Sequence, residues 1–349
     1  MKSERRPATV TMADVAARAG VSRALVSIVF RGVPGASAAT RERVLQAAEE
    51  LAYRPDQRAR LLGSNRSRMV GVVFGLHSEF HGEIVDSLYA AADGTAYDMG
   101  LGATSRSRSE QQAVLSLLDY RCEALILVGP TLSRASLEDL AARLPVVVVA
   151  RAVRSRVLDV VRTDDVAGER LAVEHLAGLG HEAIAHVDGQ RAPGAAERRR
   201  GYREAMSALG LNAHLRVVPG GLTEEHGERA AGMLFAAEPP TAVTAFNDHC
   251  AAGLMASVKD HGTRVPEDLS VVGYDDSHVA GLAGVRLTTV AQDAPTIARS
   301  ALDLAIGRLQ DRQRRSSEVV IRPRMVVRTS SSGPMPQIHG SKPHRGMSP

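Results

Sequence analysis

The sequence predicts a small all-α helix-turn-helix head joined to a larger α/β body. Three observations carry this expectation. The first 53 residues hold three short amphipathic helical patterns, punctuated by Gly20 and Gly32. From residue 69 onward, short β-branched runs alternate with helical stretches, the pattern of parallel sheets with helices on both faces. Charge divides the same way: residues 1–68 carry a net +7 and residues 69–321 a net −8. With 349 residues, 44% of them hydrophobic, the chain is long enough for two or three domains with sizeable cores.

In the head, Thr11-Met12-Ala13-Asp14 has the form of a capping box with Thr11 as N-cap. The helix it starts places Val15, Ala16 and Ala19 on one face, and Gly20 supplies the left-handed residue that ends it. Ser22 caps a second helix, with Leu25, Val26 and Val29 on one side, which ends by Gly32. Two helices joined by so tight a turn cross at a large angle. Small Ala16 permits their approach and Val26 fills the space between. A third helix is expected from near Ser37 to Tyr53, with an apolar stripe at Val44, Ala48 and Leu51.

In the body, buried strands are expected at 70–74, 124–128, 146–149, 184–187, 243–246 and 269–274. Helical patterns lie near 82–98, 109–120, 166–179, 196–209, 224–236 and 248–261. The expected organisation is 1–53 for the head, 54–68 for a hinge segment, 69–328 for the body and 329–349 for a disordered tail rich in Ser, Pro and Gly.

A basic head on an acidic body suits a polyanion at the head. No run of about 18 apolar residues offers a membrane span. The N-terminus leads into no apolar signal core, so a cytoplasmic, nucleoid-associated protein is expected. Cys122 and Cys250 fit two reduced thiols rather than a disulfide framework. There is no H-E-x-x-H, no Walker A, no G-x-S-x-G and no clustered Cys/His spacing. The stretch Arg191–Arg200, with Gly189 and Gly194, is like a phosphate loop but lacks the Gly-Lys-Ser/Thr ending. The expectation is therefore no enzyme, no metal and no cofactor.

The residues also carry a resemblance. Val10 through Ala16, Gly20-Val21-Ser22, Val26-Ser27, Thr40 through Val44 and Leu51 through Pro55 resemble LacI–GalR family transcription regulators. Ala59-Arg60-Leu61-Leu62 is similar to that family's hinge, and the likeness runs to about Arg328. The resemblance implies a periplasmic-binding-protein-like body of two Rossmann-like lobes, with the chain crossing between them more than once. One lobe would hold about 69–163 plus 293–318, the other about 164–292 plus the last strands. The tail contains no Leu, so the leucine-heptad tetramerisation helix of some relatives is not expected, and a homodimer is.

A helix-turn-helix presents the start of its second helix to base edges in the major groove. Here those residues are Arg23, Ala24, Ser27 and Ile28. Arg23 can fork onto guanine O6 and N7. Ile28 stands where the family usually has Arg and can meet a thymine methyl; Arg31 replaces the usual Asn and can pair with phosphate. Leu25 stands where Thr is common. Thr11 and Ser22 can act as caps, as phosphate donors, or as both. The resemblance adds Tyr53, Arg58, Ala59 and Leu62 to the DNA-contacting set. It implies a hinge that becomes helical only on DNA, packs against its twin through Ala59 and wedges Leu62 into the minor groove. Asp56 replaces a usual Asn, either capping that helix or opposing phosphate.

In open α/β lobes, ligands sit beyond the carboxyl ends of strands. Asn247-Asp248 and Asp275-Asp276 follow two expected strands. Arg198, Asn247 and Asp275 match the family's effector contacts. Phe80-His81 occupies its paired-aromatic position, Leu222 stands where a stacking aromatic is common, and Arg151 lies beside Ala150. Carboxylate, amide and guanidinium together suit the hydroxyls of a sugar or another small polar metabolite, while a pocket less sugar-like than average and richer in Arg makes an anionic effector a further expectation. Asp164-Asp165 is read as a helix cap, and His175 and His181 as structural. The expected function is a repressor whose affinity for a pseudo-palindromic operator is set by a small-molecule effector. The alternatives are a solute-binding protein using the lobes alone and, less favoured, a sugar- or nucleotide-modifying enzyme.

Overall fold

The computed structural model describes residues 10–53, 66–236 and 238–335. These fall into two compact units, divided after Ser67. The hinge residues Asp56, Arg58, Ala59 and Leu62 lie outside the described residues, as do 336–349.

The head is three helices: α1 (Met12–Ala19), α2 (Arg23–Arg31) and α3 (Ala38–Glu50). Asp14 Oδ2 accepts from both the amide and the hydroxyl of Thr11, at 2.7 Å each, which fixes the start of α1. Gly20 and Gly32 end the first two helices with φ of +66° and +68°, the left-handed region in which a side chain would be strained. Ser22 and Ser37 cap α2 and α3, each accepting from an amide three residues on at 3.2 Å. Val15, Ala16, Val26, Val29, Val44 and Ala48 close the core. Arg41 reaches from α3 to donate to the Val29 carbonyl at 3.2 Å, covering the end of α2.

The body holds two six-stranded sheets. The first contains β1 (Met69–Gly75), β2 (Asp98–Thr104), β3 (Ala124–Val128), β4 (Val146–Val149), β5 (Asp159–Thr163) and β11 (Glu318–Ile321), in the order β11-β5-β4-β3-β1-β2. All its pairings are parallel. The second contains β6 (Ile184–Asp188), β7 (Arg216–Pro219), β8 (Ala242–Ala245), β9 (Ser270–Asp275), β10 (Thr288–Ala291) and β12 (Arg324–Val326), ordered β12-β10-β9-β8-β6-β7. Only β12 runs antiparallel there. The central strands β3, β4, β6 and β8 are buried along their whole length, as parallel strands covered on both faces must be. Helices α4 (Glu79–Ala92), α5 (Glu110–Asp119), α6 (Arg134–Ala141) and α12 (Ala294–Gln310) cover the first sheet. Helices α7 (Asp165–Gly178), α8 (Ala195–Ala208), α9 (Glu224–Phe235), α10 (Asp248–Asp260) and the short α11 (His278–Gly281) cover the second.

The chain passes between the lobes three times, at 163–165, 291–294 and 321–324. Three expectations change here. Strand β11 belongs to the first lobe, because it pairs with β5 from Glu318↔Val160 to Ile321↔Thr163, so only β12 of the last two strands joins the second lobe. Residues 329–335, expected in a disordered tail, are part of the second lobe. Ser330 is buried, donates to the Val271 carbonyl at 2.6 Å and accepts from the Thr288 amide at 2.8 Å. Small hydroxyl residues there satisfy the open end of the sheet, and their composition alone resembles a linker. Helix α4 also spans 79–92 rather than 82–98: Ser78 caps it, accepting from the His81 amide, and Asp98 already begins β2.

Candidate functional sites in the head and the interlobe cleft

On the head, Ser22, Arg23 and Ala24 are exposed at the start of α2, and Ser27 and Ile28 are half-buried one turn on. Val26 and Val29 face inward and hold that helix on the core. Ser22 caps α2 by accepting from the Leu25 amide, while at Thr11 the start of α1 is held from the other side, by Asp14 accepting from the Thr11 amide and hydroxyl. Ile28 packs beside Gly35, whose added Cβ would sit 3.4 Å from its Cγ2. Tyr53 is half-buried, with its ring 5.7 Å from that of Phe30. Arg31 closes α2, and its side chain lies outside the described residues.

In the body, a cleft of about 490 Å³ is lined from both lobes. Phe80 and His81 enter it from α4, while Arg198, Leu222, Asn247 and Asp275 enter it from the second lobe. Six of the seven expected effector residues therefore share one cavity.

Arg151 does not. Its guanidinium donates to the carbonyls of Pro130 and Leu132 at 2.9 and 2.7 Å. The left-handed turn at Ala150, φ +57°, aims the next side chain toward that loop. Ala150 itself lines the cleft.

The centre of the cleft is an ion cluster. Arg198 Nε donates to Asp165 Oδ1 at 2.9 Å, an Nη donates to the Phe246 carbonyl, and Asp275 Oδ1 stands 3.7 Å from Nη2. Its guanidinium lies 3.5 Å from the Tyr274 ring centroid and 4.6 Å from that of Phe246, placing the cation over two aromatic faces. Close packing of α7 on α8 permits this: a Cβ on Gly201 would run into the Val166 carbonyl. Burial works against the Arg198 charge, but Asp165, Tyr274 and Asp275 outweigh it and hold the group protonated. Burial pushes the Asp165 and Asp275 carboxyls up, and Arg198 opposes that shift.

Around the cluster stand groups with directional chemistry. His81 Nδ1 accepts from the Gly75 amide at 3.1 Å, so the ring proton sits on Nε2. Burial lowers the imidazole to about 4, leaving His81 a neutral donor. Only glycine fits at 129, where a Cβ would lie 2.7 Å from His81 Nε2. Asn247 caps α10, accepting from the Cys250 amide and donating to the Leu222 carbonyl. Gln292 donates to Asp275 Oδ1 and accepts from Thr163, fastening the second lobe to the first.

Sequence reasoning missed Asp165, Gln292 and Glu110, all of which line the cleft. Asp164 is the cap of α7, accepting from the Ala167 amide, whereas Asp165 turns inward to Arg198. Gln292 follows β10, a strand the apolar pattern did not signal; the rule that ligand groups follow strands finds it once β10 is known. Asp276 pairs with Arg328 at 2.6 Å. His181 is structural: its two nitrogens meet Thr241 Oγ1 and the Ser332 carbonyl, at 2.9 and 2.8 Å. His175 lies 2.9 Å from Ser331. Among the described residues there is no group of three or more His, Cys, Asp or Glu side chains able to hold a metal, and no helix long and apolar enough to cross a membrane.

Comparison with known proteins gives the same two parts. Residues 11–56 match the bacterial regulatory proteins of the lacI family, and residues 173–331 match a periplasmic binding protein-like domain. The transcriptional regulator GalR of Escherichia coli is 34% identical over 93% of this chain and 96% of its own. DegA of Bacillus subtilis is 30% identical over 92% and 98%. Among solved structures, a LacI transcriptional regulator from a Rhodococcus species shares 45% identity, with a TM-score of 0.74 over 76% of this chain and 98% of that one. The lac repressor dimer bound to operator and an anti-inducer shares 28% identity, with a TM-score of 0.80 over 93% and 99%.

Proposed function

The chain belongs to the lacI family of bacterial regulatory proteins, and from that premise we propose that it is a dimeric repressor that reads a pseudo-palindromic operator and answers to a neutral, hydroxyl-rich effector. It is a transcriptional regulator rather than an enzyme, as its relatives are. The matched DNA-binding head removes the reading as a solute-binding protein that uses its lobes alone.

One observation carries the effector assignment: Arg198, the cation at the centre of the cleft, is already engaged by Asp165 and faces Asp275. With Arg151 turned away, Arg198 and Arg108 are the arginines that line the cleft. An anion entering it would meet three carboxylates, Asp165, Asp275 and Glu110, beside an Arg198 committed to Asp165 and an Arg108 that donates to Ser116 Oγ. Hydroxyls suit it better, because carboxylates accept from them and His81 Nε2 donates to them. Phe80, Phe246 and Leu222 supply apolar walls for a sugar's carbon face. A solved relative, CelR, 29% identical with a TM-score of 0.68, is a complex with cellobiose.

On DNA, Arg23 and Ala24 meet base edges, and Leu62 from each hinge wedges the centre of the site. Effector binding shifts the first lobes and so the spacing of the two hinges. Linkage makes this reciprocal, with couplings typically of about 1–3 kcal/mol.

Selection of bound duplexes from a random pool, at fixed salt because phosphate contacts are salt-dependent, tests the DNA half. A two-fold symmetric site with a fixed centre is expected. Leu62→Ala should weaken that site strongly and leave nonspecific binding nearly intact; equal loss of both removes the wedge. Thermal shifts with neutral sugars and sugar phosphates test the other half. Stabilisation by phosphorylated compounds alone would overturn the neutral assignment.

A further inference from the structure

On the rim of the cleft, one contact joins the lobes through titratable groups. His249, in the first turn of α10, has Nδ1 2.5 Å from Glu224 Oε1 and Nε2 3.2 Å from Glu79 Oε2. Glu224 opens α9 on the same lobe; Glu79 opens α4 on the other. A carboxylate only accepts hydrogen bonds, and a neutral imidazole has one N–H. Two carboxylates on the two ring nitrogens are therefore both satisfied only by imidazolium. A neutral ring turns a lone pair on one of them. The shorter contact is the one within the lobe, so the remaining N–H stays with Glu224 and the lone pair meets Glu79.

We propose that Glu79–His249–Glu224 is a proton-operated latch between the lobes: the imidazolium clasps the cleft shut, and losing its proton releases Glu79 and lets the lobes part. The acids around His249 and its partners are Glu79 and Glu83 on α4, Glu224 on α9, Asp248 on α10, bonded to Ser277 and Thr289, and Asp275 and Asp276 at the end of β9. The cations among them are held by the β9 acids: Arg198 stands 3.7 Å from Asp275, and Arg328 and Arg324 lie 2.6 and 3.8 Å from Asp276. Burial disfavours the imidazolium, but Glu224 and Glu79 outweigh it and raise the His249 pKa above its usual 6.5. Glu83 acts in the same direction. Burial, then Asp275, Glu79 and Asp276, push it up to about 7. Above that pH it adds a negative charge facing Asp275 and Asp276 on the other lobe. Closing the cleft thus takes up protons, and the closed form loses ground as pH rises. A ligand that needs the closed cleft binds more weakly in the same direction.

The test needs neither effector nor operator, so it stands or falls apart from the regulatory reading. Spin labels go on the full-length protein at Asp119→Cys on α5 and Glu228→Cys on α9, both exposed; native Cys122 and Cys250 are buried. Interlobe distances are then measured from pH 5.5 to 9. The unmutated latch should show a longer distance growing in as pH rises, with a midpoint above 6.5. His249→Gln and Glu79→Gln should hold the longer distance throughout, and Glu83→Gln should keep the transition with reduced amplitude. A distance independent of pH, or an unaltered transition in His249→Gln, overturns the latch. If His249→Gln does not fold, as judged by circular dichroism, Glu79→Gln carries the test, because its amide keeps the carboxylate's volume and lacks its charge.

Discussion

The head and the interlobe cleft solve recognition in opposite ways. The head offers Arg23 and Ala24 on the exposed side of one helix whose other side, Val26 and Val29, is buried. The side chains proposed to read DNA and those that form its core are different residues. In the cleft they are the same. Arg198 is buried, holds Asp165 and the Phe246 carbonyl, and faces the cavity. Asn247 caps a helix and lines the pocket at once. A surface that must meet a long polyanion can be laid over a finished core. A cavity that must enclose a small molecule is built out of the core, so its chemistry and its stability cannot be changed separately.

Arg198→Ala should break that comparison most severely. It leaves Asp165 buried without its partner, which typically costs about 3–5 kcal/mol. Melting of the body should fall by several degrees and effector response should vanish together. Unchanged melting would mean that Arg198 serves the ligand alone. Arg23→Ala should do the reverse. Its stability change should stay within about 0.5 kcal/mol, while discrimination among operator variants drops by about 1–3 kcal/mol. A titration against point-mutated duplexes reads this, and a uniform loss over all sequences would assign Arg23 to phosphate instead.

Ser22→Ala sits between the two, since Ser22 is both a cap and a candidate phosphate donor. Loss of the cap should cost about 1 kcal/mol of head stability and leave the body transition unmoved in calorimetry. The smallest effect is expected from Glu83→Gln. Glu83 is pushed up to about 7, first by burial and then by the neighbouring Asp275, Glu79 and Asp276. The folded state then binds more protons than the unfolded one between its ordinary value and 7. Stability contributed by this group is therefore present at low pH and lost as pH rises through 7. The half-buried position reduces the size of the effect. Melting temperatures from pH 5 to 8 should fall less steeply for the variant; an equal slope would leave Glu83 out of the pH response.

The head was legible almost residue by residue. Its caps, its two left-handed glycines and its core stripe are contacts between near neighbours in the chain, and sequence spacing encodes those directly. Strands 124–128 and 146–149 were equally plain, because a strand buried on both faces is a continuous apolar run. Strand β2, Asp-Met-Gly-Leu-Gly-Ala-Thr, carried no such signal: its glycines make room for Leu117 and Met69, which sequence spacing does not show. In the cleft, Arg198, Asn247 and Asp275 could be placed, but their partners could not. Arg151 and Asp165 were exchanged in role, the first leaving the site for a loop carbonyl and the second joining it.

The sequence by itself determined the helix-turn-helix head, the strand–helix alternation of the body and the basic and acidic halves of the chain, because each depends on local pattern or composition. Only the tertiary structure decided which carboxylates meet Arg198, that β11 pairs with β5, that Ser330 completes the second lobe, and that His249 stands between acids of two lobes. Those contacts join residues from 25 to 170 positions apart. Their geometry is set by how the two sheets stack their helices, and no spacing along the chain records it.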